Sequence, residues 1–181
     1  MVFLNRKNKV YKFFFAAALL YLAWYLTDEF IIKPYTLIDE KLVTLIISQA
    51  SFILRLFGFN TFSTSEDKDM QLMGIDGSNA IWIGSPCNAL SLFALFSIFV
   101  IAFPSHWKGK LWFIPLGIII IHFANLFRVA CLALINFYYP DWLSFNHNFT
   151  FLVFVYGIIF CLWMYWVNRT LKSLKSQNAK D

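Results

Sequence analysis

The sequence predicts an all-α integral membrane protein with four transmembrane helices, one amphipathic surface helix and a small extracytoplasmic β-hairpin. Two observations support this fold class. Of the 181 residues, 60% are hydrophobic and only 14% are charged, and the mean hydropathy is +0.63, which lies outside the balance of soluble domains. The apolar residues also gather in runs near the length of about 20 residues that a helix needs to cross a bilayer. We expect one membrane-embedded domain over residues 1–181.

Four apolar runs predict the spans. They cover approximately residues 13–32, 88–105, 111–137 and 149–167. The first run follows a basic segment, as in a signal peptide, but no small residues end it, so we interpret it as an uncleaved span. The second run is short for a span, whereas the third is long enough to tilt or to project from the lipid.

Residues 42–59 form a fifth helical segment of a different kind. Its polar residues recur at steps of three and four and draw a stripe along the helix. They are Thr44, Ser48, Ser51 and Arg55. Such a helix either lies in the membrane interface or packs its stripe against the bundle. We predict a surface helix, because the charges of the loops then agree with one orientation.

The loop charges predict that orientation. Lys and Arg cluster at residues 6–12, 108–110 and 169–180, each beside an apolar run, and such clusters mark the cytoplasmic side of a membrane. With four spans all three clusters lie inside, and the acidic outer loop 60–86 lies outside. Its acidic residues are Glu66, Asp67, Asp69 and Asp76. We therefore expect a multi-pass protein of the cytoplasmic (inner) membrane. Because its basic residues lie beside the apolar runs, we expect the net charge of +5 to reflect contacts with membrane lipids and not with nucleic acid.

The outer loop 60–86 contains a turn signal. Asp76-Gly77-Ser78-Asn79 separates two short stretches in which apolar and polar residues mix, a pattern typical of a β-hairpin. The second stretch leads into Cys87.

Three reactive side chains are predicted to meet at the outer face. Cys87 opens the second span from outside, and His147 precedes the fourth span on the same side. Arg128 follows Leu111, where the third span begins inside, by about 25 Å of helix. Three separate segments thus bring a thiol, a guanidinium and an imidazole to one layer of the membrane, which places the active site on the extracytoplasmic face.

This combination of side chains suits acyl transfer through a thioester. A cysteine attacks a carbonyl carbon as a thiolate and needs a neighbouring base or cation to form it. His147 is the candidate general base and acid, and Arg128 is the candidate for stabilising the thiolate, the oxyanion or a substrate carboxylate. Taken singly, Arg128 is also explained as an arginine that reaches to the interface, and His147 as an exposed loop residue.

Polar neighbours on the third span extend the candidate site. His122 and Asn125 lie on the same side of that helix as Arg128. We predict that they support Arg128 by hydrogen bonding, although a polar pair between helices explains them equally well.

Asparagines flank two of the reactive side chains. Asn88 follows Cys87 in a polar helix entrance, and Asn146 and Asn148 enclose His147 and are candidates to orient its ring.

The remaining cysteines predict no further chemistry. Cys131 and Cys161 lie within apolar runs and are interpreted as small apolar residues. The three cysteines of the chain are widely spaced and lack metal-ligand spacing, so we expect no disulfide framework, no metal site and no cofactor.

The reactive residues stand in a recognisable pattern. It consists of Ser85-Pro86-Cys87-Asn88-Ala89 at the opening of a span, then Asn125-Leu126-Phe127-Arg128-Val129, then His147 ahead of the last span. In this order and spacing, over roughly residues 35–167, the chain resembles the exosortase/archaeosortase family of multispan membrane enzymes. That family typically has Ser or Ala and then Gly after the cysteine, where this chain has Asn and Ala.

The resemblance implies a cysteine-dependent protease or transpeptidase. Such enzymes recognise exported proteins through a C-terminal sorting tail and cleave near a short motif in that tail. Carried over by position, Cys87 is the nucleophile, Arg128 the family's arginine and His147 the acid and base. The alternative from another class is a non-catalytic membrane assembly or transport component, whose polar stripe on the third span binds a lipid head group or a partner helix.

Overall fold

The computed structural model describes residues 2–65, 70–84 and 87–178, so Glu66, Asp67 and Asp69 of the predicted outer loop lie outside the described residues. Within these ranges the chain is mostly helical, with one small sheet. The helices are α1 (Val2–Thr27), α2 (Lys33–Tyr35), α3 (Ile38–Leu56), α4 (Leu90–Ala102), α5 (Trp107–Tyr138), α6 (Leu143–Phe145) and α7 (Phe151–Asn178). The strands are β1 (Thr61–Ser65), β2 (Met70–Ile75) and β3 (Ile81–Gly84). A 3-10 turn, Pro140–Trp142, follows α5, and π-helical turns at Asp28–Ile32 and Asn146–Thr150 join α1 to α2 and α6 to α7.

Three helical stretches among the described residues are long and apolar enough to cross a membrane. They cover Val10–Tyr35, Trp107–Tyr138 and Pro140–Lys172. Each contains one of the predicted spans 13–32, 111–137 and 149–167. The chain is therefore a mostly helical, integral membrane protein.

Helix α4 is shorter than the predicted span 88–105. Its 13 residues rise roughly 20 Å, which is less than the roughly 30 Å of a bilayer core. The helix starts late because Ala89, just before it, has a φ of 64°. It ends before Pro104, since a proline disfavours helical geometry at the residue that precedes it. A count of four spanning helices therefore stays a prediction.

The predicted amphipathic helix 42–59 is α3, which begins four residues earlier and ends three residues earlier. Its apolar face packs against α5 and all three strands. Its polar stripe also contacts the folded chain: Thr44 Oγ1 accepts a hydrogen bond from Gln71 Nε2 at 2.6 Å, and Arg55 donates to Thr61. Packing of the stripe against neighbouring elements is one of the two arrangements open to such a helix.

The sheet has three antiparallel strands in the order β1-β2-β3, one more than the predicted hairpin. The predicted turn joins β2 to β3, where Gly77 has a φ of 90° and the Ser78 N–H donates to the Ile75 carbonyl at 2.9 Å. Strand β1 was not expected, because Thr61–Ser65 consists almost entirely of Ser and Thr and lacks the apolar alternation that reveals a half-buried strand.

Helices α4, α5 and α7 pack around an aromatic core. Phe96, Phe113 and Trp166 are buried, and the rings of Phe113 and Trp166 stack with their centroids 4.7 Å apart. Gly117 allows α4 to approach α5 closely, because a Cβ atom there would lie 2.1 Å from the Phe96 ring. A second apolar core lies between α3, the sheet and the latter half of α5, and Cys87 belongs to it.

Candidate active site

Cys87 lies between β3 and α4 and is 5% exposed. Ser85 and Pro86, which precede it in the predicted motif, lie outside the described residues. The side chain of Asn125 on α5 is fully buried and donates from Nδ2 to the Cys87 carbonyl at 2.6 Å. This bond holds the cysteine backbone against the helix that carries Arg128, one turn further along.

The structure brings the three predicted reactive side chains together. Cys87 Sγ lies 3.9 Å from His147 Nε2, and Arg128 Nη2 lies 3.4 Å from the same Nε2 atom. His147 belongs to the π-helical turn Asn146–Thr150, which leads into α7. Three segments far apart in the sequence thus meet at one imidazole nitrogen.

The contacts of His147 select one tautomer of its ring. An arginine only donates hydrogen bonds, so the Nε2 atom that contacts Arg128 is the acceptor. Nδ1 then carries the proton and donates to Asn148 Oδ1 at 3.1 Å. Asn148 is thus positioned to orient the ring, whereas Asn146 Nδ2 donates to the carbonyl of Trp142, in the preceding 3-10 turn, at 2.9 Å. In this tautomer the single lone pair of Nε2 faces both donors, so a proton that passes from the Cys87 thiol to Nε2 displaces Arg128 from it.

A buried carboxylate supports the turn that follows the cysteine. Asp39 of α3 is 6% exposed and accepts a hydrogen bond from Asn88 Nδ2. Asn88 Oδ1 accepts in turn from the Leu90 N–H at 2.9 Å and so satisfies a free amide at the start of α4. Asp39 was not among the predicted site residues, although its spacing of four residues from Val43 places it on the buried face of α3.

Ala89 has an unusual backbone conformation two residues after Cys87. Its φ of 64° lies in the left-handed region, which costs an L-residue with a Cβ atom roughly 1–2 kcal/mol. Strained backbone of this kind persists where the surrounding structure holds it and is frequent at active sites.

The predicted bonds from His122 and Asn125 to Arg128 are wrong. His122 Nε2 lies 2.8 Å from Gln49 Oε1 of α3, and Asn125 bonds to the backbone of Cys87. The spacing of two residues along a helix shows only that they lie on the same side of it. Here the hydrogen-bond partners come from other elements that pack on that side. Arg128 Nε is buried without a hydrogen-bond partner among the described residues, so the guanidinium retains a free donor.

Two cavities open on either side of His147. The first, of about 260 Å³, reaches Cys87, and its walls are mostly apolar residues of β3, α5 and α6. The second, of about 460 Å³, reaches Arg128 and contains the charged side chains of Asp28, Lys33 and Asp39. Both cavities are lined mainly by apolar surface, but only the one beside the guanidinium also contains charged side chains besides His147.

The described residues contain no metal-ligand cluster. Within 2–65, 70–84 and 87–178, no three His, Cys, Asp or Glu side chains converge in a way that would hold a metal ion. Cys87, Cys131 and Cys161 are all free thiols.

Comparison with known protein families identifies a match over most of the chain. The family model of the transmembrane exosortases matches residues 2–167, which is most of the chain. No curated protein and no solved structure matches it.

Proposed function

The chain belongs to the transmembrane exosortase family, and from this premise we propose that it is a membrane cysteine transpeptidase or protease. It cleaves the C-terminal sorting tail of exported proteins and holds the product as a thioester on Cys87. The observation that carries this proposal is the contact of His147 Nε2 with both Cys87 Sγ, at 3.9 Å, and Arg128 Nη2, at 3.4 Å. A nucleophile, a base and a cation are within reach of one peptide group.

The first step is attack on the scissile peptide bond. The Cys87 thiol gives its proton to His147 Nε2, and Sγ bonds to the carbonyl carbon. The carbonyl oxygen takes up negative charge, which the guanidinium of Arg128 stabilises by donating hydrogen bonds. Protonated Nε2 and Arg128 are then both donors, so the guanidinium turns from the imidazole toward the oxyanion.

The second step releases the tail. His147 passes its proton to the leaving amine as the C–N bond breaks, and the acyl group remains on Cys87 as a thioester. An amine, a lipid nucleophile or water then attacks the thioester and loses a proton to His147. The sulfur leaves as thiolate and recovers its proton from the imidazole, which restores the enzyme.

We place this site on the extracytoplasmic face of the cytoplasmic membrane. The N-terminal segment, the loop before α5 and the end of α7 contribute Lys12, His106 and Arg169 to one cavity, so three basic segments gather at one end of the bundle. Arg128 lies about 27 Å along α5 from Lys110. Basic segments favour the cytoplasm, which supports the opposite side for the site.

A non-catalytic role is the second candidate function. The 460 Å³ cavity contains the charged side chains of Asp28, Lys33, Asp39 and Arg128 within a mainly apolar lining, which also suits a membrane assembly or transport component that binds a lipid head group or a partner helix.

The replacement Cys87→Ala separates the two functions. We expect cells with this variant to accumulate exported proteins that keep their full C-terminal tails, because no other thiol contacts His147 among the described residues. The matched variant Cys161→Ala changes an exposed cysteine of α7 and is expected to process the tails normally. Mass spectrometry of the C-termini of exported proteins measures both. Tail removal at the wild-type rate in Cys87→Ala contradicts the enzymatic function and favours the binding role.

A further inference from the structure

Strand β3 is an edge of the sheet. Within the described residues it pairs with β2 alone, so one row of its backbone N–H and C=O groups has no strand partner. An edge of this kind is a template on which another extended chain can pair. The chain continues from β3 to Cys87 within three residues.

The 260 Å³ cavity runs beside this strand. One wall is formed by β3 and Ala80, and the other by α5 and α6. Cys87 and His147 also line the cavity. The side chains that face it are mostly apolar: Ile81 and Ile83 of β3, Val129 and Leu132 of α5, and Leu143 of α6. The cavity therefore joins an unpaired backbone edge, an apolar wall and the nucleophile.

We propose that β3 binds the substrate as an added strand. The segment of the exported protein next to its scissile bond lies extended along the free edge of β3, places an apolar side chain in the 260 Å³ cavity and presents its carbonyl carbon to Cys87. This inference rests on the proposed function and adds to it the binding mode and the preference for an apolar residue beside the cleaved bond.

An extended peptide fits this cavity better than other occupants. Strand addition satisfies the backbone groups of β3 through main-chain hydrogen bonds, while pockets for alternate side chains supply specificity. A lipid tail has no donors or acceptors and would leave those backbone groups unpaired, at a free-energy cost. A helix has its own backbone groups paired internally and cannot pair with a strand.

Thiol labelling of the purified, full-length protein tests the binding mode. The probe is N-acetyl-Ala-Ala-Ala chloromethyl ketone, which alkylates Cys87 with loss of chloride, and its analogues methylated at one backbone nitrogen each. Iodoacetamide is the reference reagent, because it has no peptide backbone that could pair with β3. Mass spectrometry of the Cys87-containing fragment gives each rate. We expect methylation at one or more nitrogens to slow labelling about fivefold, the effect of one lost hydrogen bond, while other positions show little change.

A pair of matched variants identifies the cavity that is used. Ser144 is exposed and lines the 260 Å³ cavity, whereas Ser91 is exposed and lines the 460 Å³ cavity. We expect Ser144→Trp to slow the peptide reagent at least tenfold and to leave iodoacetamide within about twofold, because a tryptophan fills the cavity beside the strand. Ser91→Trp is expected to leave both rates unchanged.

The outcomes are distinct. Peptide labelling that is insensitive to every methylation, or that Ser91→Trp slows instead of Ser144→Trp, overturns the assignment of β3. Equal slowing of both reagents by Ser144→Trp shows general blocking of access and overturns it as well. Failure of the proposed function has another signature, in which Cys87 is inert to both reagents and Cys87→Ala cells still process tails.

Discussion

At the scale of single residues, Ala89 shows how the neighbourhood of the proposed nucleophile, Cys87, is built. The exosortase/archaeosortase pattern typically has glycine at this position, and the φ of 64° explains why a residue without a Cβ atom suits it. In this chain an alanine adopts the same conformation because the turn is held by neighbouring bonds: Asn125 binds the Cys87 carbonyl, and Asn88 binds Asp39.

The replacement Ala89→Gly is therefore expected to cost little stability. It relieves about 1–2 kcal/mol of left-handed strain, and this gain offsets the greater freedom of glycine in the unfolded chain and the loss of a buried methyl group, about 0.8 kcal/mol. Thermal unfolding of the detergent-solubilised protein measures the change. The matched variant Ala94→Gly, within α4, has no such strain to relieve and is expected to lose about 1 kcal/mol. A loss in Ala89→Gly as large as that in Ala94→Gly would contradict the strain at this residue.

At the scale of elements, the structure assigns α3 a role beyond its amphipathic surface. Through Asp39 it binds the turn after Cys87, and through Gln49 it binds His122 of α5. Helix α3 thus connects the segment that holds Cys87 to the helix that holds Arg128. The hydrogen bond from Asn88 explains why an acidic residue, Asp39, lies on the buried face of this helix.

Loss of the Asp39 carboxylate is expected to impair both stability and processing. Asp39→Ala leaves the Asn88 amide buried and unpaired, which costs about 1–3 kcal/mol of stability and loosens the turn that positions Cys87. We expect tail processing to fall about tenfold at equal protein level, as measured by a quantitative immunoblot of precursor and product. Asp39→Asn keeps an acceptor oxygen and is expected to retain most activity.

The neighbouring acidic residue provides the control for this prediction. Glu40→Ala removes an acidic side chain from the same helical turn, but that side chain is only partly buried, so wild-type processing is expected. Equal losses in Asp39→Ala and Glu40→Ala would show a general effect of charge and would refute the positioning role of Asp39.

At the scale of the whole molecule, the chain has a basic end and an end that holds the proposed active site. Lys12, His106 and Arg169 gather around a cavity at one end of the bundle. The sheet, Cys87 and His147 lie at the other end of α4 and α5. This separation predicts which surfaces face the two sides of the membrane.

Single-cysteine labelling checks that orientation. In a background without the three native cysteines, Ser63→Cys on β1 is expected to react with a membrane-impermeant maleimide in intact cells, because exposed Ser63 lies on the predicted outer side. Lys108→Cys, in the predicted cytoplasmic end of α5, is expected to react only after the membrane is permeabilised. The reverse pattern would place the active site on the cytoplasmic face.

Hydropathy and residue order alone were sufficient to predict an integral membrane protein and the approximate position of its long apolar helices. They also predicted that Cys87, Arg128 and His147 lie close together, as the structure shows. The helices can be predicted from local properties of the sequence, because a run of apolar residues specifies a membrane helix whatever elements pack against it. The order of Cys, Arg and His along the chain likewise needs no knowledge of packing.

The remaining features could be seen only in the tertiary structure. The partners of His122 and Asn125, the buried Asp39, the strand β1 and the late start of α4 depend on which elements meet in space. Helical periodicity shows the side of a helix on which a residue lies, but the hydrogen-bond partner on that side comes from a distant segment. For the same reason the free edge of β3 beside Cys87 became visible only once the strands had been placed against α5.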